Sequence, residues 1–96
     1  MTKNEILKTL KELKPFLQKY NIKEIGLFGS YVKNQNNQKS DIDIIFDSDF
    51  KNFKPDFMDI LKIKHLLEDK FNTKVDLVPK KGLKIQQFIE KDIIYV

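Results

Sequence analysis

The chain has 96 residues, a length that fits one small domain with one hydrophobic core. Hydrophobic residues make up 41% of it and charged residues 33%, which is typical of a globular chain and excludes a disordered one. It has no cysteine and a single histidine, His65, so disulfides, thiolate metal sites and histidine-based zinc clusters are excluded. The net charge of +4 is spread along the chain, and no apolar run is long enough to span a bilayer. We expect one cytoplasmic domain over residues 1–96.

Apolar residues at spacings of three and four predict an amphipathic helix over most of residues 3–20, begun by the capping pair Thr2 and Glu5. Pro15 falls inside this helix. Because the apolar face stays in phase across the proline, we expect a kink or two abutting helical segments there. Asn21 is expected to stop the helix in a left-handed conformation, and a first strand over 22–28 follows.

The rest of the chain predicts an alternation of loops, strands and helices, bounded by turn-forming residues. In chain order these are a polar loop over 34–40, a strand over 41–46, a charged loop over 47–55, a helix from Pro55 to residue 69 or 70, a strand over 74–78, a helix over 83–91 and an extended apolar end over 93–96. Phe57 and Met58 are assigned to the apolar side of the middle helix. The predicted fold class is α/β (α+β): a small mixed sheet of three to four strands flanked by helices.

Three aspartates lie within apolar, strand-like runs. Side-chain alternation puts Asp41 and Asp43 on one face of their strand, roughly 7 Å apart, and puts Asp76 opposite to Val75 and Leu77. Neighbouring carboxylates repel each other unless a cation lies between them. Oxygen ligands suit hard divalent ions, and two such ions about 4 Å apart can clamp the attacking and leaving oxygens of a nucleotidyl displacement. The three carboxylates therefore predict a metal site.

Gly29 and Ser30 end the first strand at a junction where we expect a short helix or turn to begin. Such a junction presents backbone N–H groups, and a glycine lets the oxygens of a ligand come close. A Gly-Ser pair alone is more often an ordinary turn, and an Asp-x-Asp pair alone is more often a solvated strand edge paired with lysines. In this order along one chain, however, the motifs fit a site for a nucleoside triphosphate.

The motifs GLFGSY, SDIDII and VDLV occur here in an order and spacing that resemble the nucleotidyltransferases with a DNA polymerase beta-like fold. Nearly the whole chain is similar to the minimal nucleotidyltransferases. That resemblance implies an enzyme, and an antitoxin that is often encoded beside a HEPN-domain toxin and attaches AMP from ATP to a tyrosine of that toxin.

Carried over by position, the resemblance also implies roles for individual residues. Gly29 and Ser30 would bind the triphosphate, and Asp41 and Asp43 would hold two magnesium ions. Asp76 would complete the second metal site and help to deprotonate the attacking hydroxyl. Two alternatives stay open: an antitoxin that covers its partner with little or no catalysis, and nucleotidyl transfer to a small hydroxylated molecule.

The segment after Ser30 departs from the family pattern. Many relatives continue with alanine, arginine and glycine, whereas this chain has Val32, Lys33 and Asn34. Lys33 keeps a positive charge for nucleotide binding but lacks the planar, bidentate guanidinium, so we expect weaker binding of the triphosphate or a lower rate. Asn34 remains compatible with a left-handed backbone.

Several other side chains have both a structural and a functional interpretation. Tyr31 either stacks on a base or packs in the interior. His65 is predicted to be a surface or helix-packing residue. The lysines 80, 81 and 84 could face phosphates or a partner, but a solvated surface is the favoured interpretation.

Overall fold

The computed structural model describes residues 2–32, 41–48, 56–80 and 93–96. Its elements, in chain order, are α1 (Lys3–Gln18), β1 (Ile22–Phe28), a 3-10 helix (Gly29–Tyr31), β2 (Ile42–Ser48), α2 (Phe57–Phe71), β3 (Val75–Pro79) and β4 (Ile94–Tyr95). The predicted polar loop over 34–40, the helix over 83–91 and the residue Lys33 lie outside the described residues. None of the described helices is long and apolar enough to cross a membrane.

The four strands form one mixed sheet in the order β3-β2-β1-β4. β1 is antiparallel to both β2 and β4, whereas β2 and β3 are parallel. Parallel neighbours need a crossover, which α2 provides between β2 and β3. The prediction of a small mixed sheet of three to four strands with flanking helices is confirmed.

The first helix follows its sequence signals at both ends. The Thr2 hydroxyl oxygen accepts a hydrogen bond from the backbone N–H of Glu5 at 3.2 Å, which caps the N-terminus. The helix passes through Pro15 as one element and ends at Gln18, so the alternative of two abutting segments was wrong. Burial of an apolar stripe that extends to Leu17, beyond the proline, offsets the hydrogen bond that Pro15 cannot donate. Asn21 has a φ of 64°, as predicted for the left-handed stop.

The second helix packs through a narrower face than the sequence predicted. Asp56 caps it, with its Oδ1 atom accepting from the N–H of Met58 at 3.4 Å. The buried stripe consists of Ile63, Leu67 and Phe71, spaced by four residues. Phe57 and Met58 are 71% and 57% exposed, so assigning them to the packing side was wrong. At 100° per residue, Met58 projects to the side opposite that stripe, and Phe57 lies just outside its edge at the first turn of the helix.

The hydrophobic core lies between the two helices and one face of the sheet. It contains side chains of α1, α2 and the inward positions of the strands, among them Leu10, Leu17, Ile25, Leu27, Ile42, Ile44, Phe46, Leu67 and Val75. Phe28 and Ile45 are also buried but lie outside this cluster, because strand alternation directs them to the opposite face. That opposite face also carries the aspartates, as predicted from the period of two.

Truncating a core residue should show how far the fold depends on this face. Leu67 is fully buried in the core cluster, so Leu67→Ala should lower the free energy of unfolding by about 2–5 kcal/mol. Lys62→Ala, on an exposed position of the same helix, should change it by less than about 0.5 kcal/mol. Urea denaturation measures both, and equal losses in the two variants would contradict this packing.

Candidate active site

Two of the three aspartates lie side by side on neighbouring parallel strands. Asp43 of β2 and Asp76 of β3 are register partners, on strands that run about 4.8 Å apart. Asp41 directly precedes β2, two residues before Asp43. Asp41 and Asp76 are exposed, and Asp43 is half-buried. The sheet therefore places Asp43 and Asp76 at one end of one face, and Asp41 lies just before the strand that carries Asp43.

The electrostatics of Asp43 reflect this arrangement. Burial raises the pKa of its carboxyl above the ordinary value of 3.8, and the negative charges of Asp76 and then of Asp41 raise it further. Both neighbours thus act on Asp43 through space. These two charges disfavour the ionised form of Asp43, an effect that a bound cation would reverse.

Gly29 lies against the Asp43 side chain on the side of β1. The preceding residue, Phe28, is the register partner of Asp43 across β1 and β2. Gly29 has a φ of +81°, which suits glycine, and a Cβ atom built on it would lie 3.0 Å from the Cγ of Asp43 and contact the carboxylate itself. A side chain here would therefore displace the carboxylate. Ser30 is the central residue of the 3-10 helix that follows.

The donor set fits magnesium in its chemistry. Within the described ranges, no three acidic, histidine or cysteine side chains are arranged so that together they could hold a metal ion. Asp43 and Asp76 are nevertheless register partners, Asp41 lies two residues before Asp43, and the backbone at Gly29 beside Asp43 has no side chain, so hard oxygen donors lie near one another. Asp41, Asp43 and Asp76 would hold the ions, and Gly29 leaves the space that their carboxylates need.

The raised pKa of Asp43 predicts a pH-dependent stability in the absence of metal. The folded state holds this proton more tightly than the unfolded state, so ionised Asp43 is destabilising. Relative to Asp43→Asn, the wild-type chain should gain stability as the pH falls from above the raised pKa to below the unfolded value. Urea denaturation of both proteins with a chelator, from about pH 7 to about pH 3, measures the difference. Curves that stay parallel would contradict the repulsion.

Sequence reasoning missed Phe28 as a neighbour of the site. Its ring is 8% exposed and sits on the carboxylate face beside Asp43. The signal was present, since Glu24, Gly26 and Phe28 share a face by alternation. The open choice for Tyr31 is settled towards packing, because its ring is buried in the core cluster. His65 is exposed, as predicted.

A second group of charged side chains lies at the other end of the same face. The Lys80 ammonium is 3.6 Å from the Glu24 carboxylate and 5.0 Å from the centre of the Tyr95 ring. Lys80 is thus partly buried in local contacts instead of being freely solvated, which corrects the prediction from its basic run. Lysines 81 and 84 lie outside the described residues. Nearby, Lys23 approaches Asp47 at 3.6 Å.

The chain is similar to known proteins over nearly its whole length. A Methanocaldococcus jannaschii protein named for protein adenylyltransferase activity is 39% identical, over 94% of this chain and 100% of that protein. The protein adenylyltransferase MntA of Thermococcus cleftensis is 34% identical, over 86% of this chain and 83% of that one.

A crystal structure of a toxin-antitoxin with AMP-PNP superposes with a TM-score of 0.61 at 25% identity, over 91% of this chain. This chain spans 64% of the matched chain, less than two thirds of its length. The superposition agrees with the predicted polymerase beta-like nucleotidyltransferase fold. The profile of the nucleotidyltransferase domain matches residues 3–96. The chain therefore belongs to the nucleotidyltransferase domain family.

Proposed function

We propose that this nucleotidyltransferase is an antitoxin that transfers AMP from ATP to a tyrosine of a HEPN-domain toxin, in a magnesium-dependent reaction. The observation that carries the proposal is the pairing of Asp43 with Asp76 on neighbouring parallel strands, with Asp41 two residues before Asp43 and Gly29 against the Asp43 carboxylate. Relatives named as protein adenylyltransferases support the class of acceptor. The neighbouring structure with AMP-PNP supports an adenine nucleotide as donor.

Each candidate site residue has a defined task in the proposed reaction. Asp41 and Asp43 would hold two magnesium ions, which would neutralise the triphosphate and favour displacement at the α-phosphorus. Asp76 would complete the second metal site and accept the proton of the acceptor hydroxyl. Gly29 and Ser30 receive the phosphates, and Lys33 adds positive charge to that binding. Phe28 limits access of water to the buried side of Asp43.

The proposed partner is a toxin because the superposed structure is that of a toxin-antitoxin. The name MntA of the Thermococcus relative, together with the resemblance to minimal nucleotidyltransferases, points to the HEPN class. Modification of a toxin tyrosine would add negative charge and bulk to its surface and so block its action. We propose that the reaction takes place in the cytoplasm, where ATP and magnesium are abundant.

The test combines the purified chain with ATP, magnesium and the HEPN-domain protein assigned here as its partner. Mass spectrometry should find AMP on a tyrosine of the partner, and the modified partner should lose its toxicity. Omitting magnesium should prevent both effects. If the partner is neutralised without modification, the chain acts by covering it, and the transfer proposed here is wrong.

A further inference from the structure

Transfer of AMP to tyrosine raises the question of which tyrosines of the enzyme are themselves accessible. The chain has three. Tyr31 is buried in the core cluster, and Tyr20 is partly buried, with its ring packed edge-on to Phe16 at 5.4 Å between centroids. Tyr95 is 38% exposed. Of the three tyrosines, Tyr95 alone has an exposed side chain.

Tyr95 is fixed on the face of the sheet that carries the carboxylates. It is the register partner of Gly26, and a Cβ atom on Gly26 would lie 3.0 Å from the Cδ1 atom of the Tyr95 ring. The glycine thus lets the ring lie directly on β1. On this face Gly26 is followed by Phe28, the partner of Asp43, so Tyr95 belongs to the same surface as the proposed active site.

The phenol of Tyr95 has a cationic neighbour. A hydrogen bond with Tyr95 raises the pKa of the Lys80 ammonium, and this effect is larger than the lowering that burial causes. The charges of Tyr95, Glu24 and Asp47 raise that pKa further. The ammonium therefore stays charged beside the phenol oxygen. Its position 5.0 Å from the centre of the Tyr95 ring fixes the ring on this part of the face.

The direction of the ring decides whether Tyr95 can reach its own active site. Lys80 directly follows Pro79, which is the register partner of Phe46. The backbone N–H of Lys80 donates a hydrogen bond to the Phe46 carbonyl at 2.7 Å, so Lys80 lies at the end of the face that is far from Asp43. Asp43 lies two strands away from Tyr95 across the sheet, roughly 10 Å. Along the strands it lies two residues away, roughly 7 Å, in the direction opposite to Lys80. Contact with Lys80 turns the phenol away from the carboxylates.

We propose that Tyr95 is an adenylylation acceptor, modified by the active site of a second copy of this chain. The step rests on the function proposed above. The Oη atom of Tyr95 forms a bond to the α-phosphorus of ATP, the bond from that phosphorus to the β-phosphate oxygen breaks, and pyrophosphate leaves. The phenol proton passes to the carboxylate of Asp76 in the acting copy. Lys80 is a positioning residue, because its ammonium, 5.0 Å from the ring centre, holds the phenol outward.

Two variants separate the donor copy from the acceptor copy. Tyr95→Phe keeps the carboxylates but has no acceptor, and Asp43→Asn keeps Tyr95 but lacks activity. Each alone, with ATP and magnesium, should stay unmodified at position 95. Mixed together, they should yield the Asp43→Asn chain with AMP on Tyr95, identified by peptide mass spectrometry. Modification of the wild-type chain without modification in the mixture would overturn transfer between copies.

The HEPN-domain partner distinguishes failure of this inference from failure of the proposed function. If the wild-type chain adenylylates the partner while Tyr95 stays unmodified, the inference is wrong and the proposed function stands. If neither is modified, both are wrong. Tyr20→Phe serves as the matched tyrosine control, and its Tyr95 should be modified at the wild-type rate.

Replacing Lys80 tests its positioning role. Lys80→Met should slow modification of Tyr95 roughly tenfold, since it removes a hydrogen bond from a charged donor. It should leave adenylylation of the HEPN-domain partner unchanged, because Lys80 lies at the far end of the face from the carboxylates. Lys62→Met, at an exposed position on α2, should affect neither rate. An equal loss of both rates in Lys80→Met would indicate a structural role only.

Discussion

Replacing Asp43 with asparagine is expected to lower the rate of AMP transfer by about 1,000-fold or more. Asp43 is the central carboxylate, with Asp76 as its register partner and Asp41 two residues before it. Loss of one charge from the ligand set removes several kcal/mol of charge stabilisation in the transition state, and about 1.4 kcal/mol corresponds to each factor of ten. Transfer to the purified HEPN-domain partner, followed by intact mass, measures the loss.

The same variant should fold as well as the wild-type chain or better. Neutralising one member of a repelling group relieves the repulsion in the metal-free protein. Asp69→Asn, which removes a carboxylate from an exposed position on α2, is the matched control and should retain full activity. If Asp43→Asn transferred AMP at a rate near that of the control, the catalytic carboxylates would have to lie elsewhere.

Replacing Gly29 with alanine should have the second largest effect. The added Cβ would contact the Asp43 carboxylate, and alanine is unfavourable at a φ of +81°. We expect a loss of about 1–3 kcal/mol in the free energy of unfolding from backbone strain. We also expect AMP transfer to fall by about 100-fold, because the displaced carboxylate can no longer ligate in its proper position. Urea denaturation and the transfer assay separate the two effects.

Gly26→Ala provides the contrast for that variant. Its Cβ would lie 2.8 Å from the Cγ2 atom of Ile93 and 3.0 Å from the ring of Tyr95, so it should push β4 away from β1 and destabilise the fold. It should keep most of its activity at temperatures where it is folded, since the clash is with β4 and not with Asp43. An equal loss of activity in both glycine variants would mean that Gly29 acts only through stability.

The alternation of apolar and acidic residues was enough to predict which side chains share a face. Asp43 and Asp76 lie opposite to the core, and β1 matches residues 22–28 as predicted. The pairing of Asp43 with Asp76 depends on the strand order and register, which no local pattern encodes. The sequence could supply these two residues as candidates but not the contact between them.

Two misassignments have local causes. Hydrophobicity alone placed Phe57 and Met58 in the packing face, yet their helical angles put them outside the stripe that ends at Phe71. The two abutting segments considered at Pro15 did not form, and α1 is one element with buried Leu10 and Leu17 on either side of the proline. The steric role of Gly29 towards Asp43 could not be predicted, since it is a contact between β2 and the turn that follows β1.

The parallel pairing of Asp43 with Asp76 links the stability of the domain to its ionic surroundings. A sheet row with two like charges is unfavourable for the bare fold, and any cation that binds there selectively stabilises the native state over the unfolded chain by mass action. Magnesium would then serve as a folding ligand as well as a cofactor. In a cell depleted of magnesium, an antitoxin of the proposed kind would lose activity and become more prone to unfolding and degradation together, and newly made partner would escape modification.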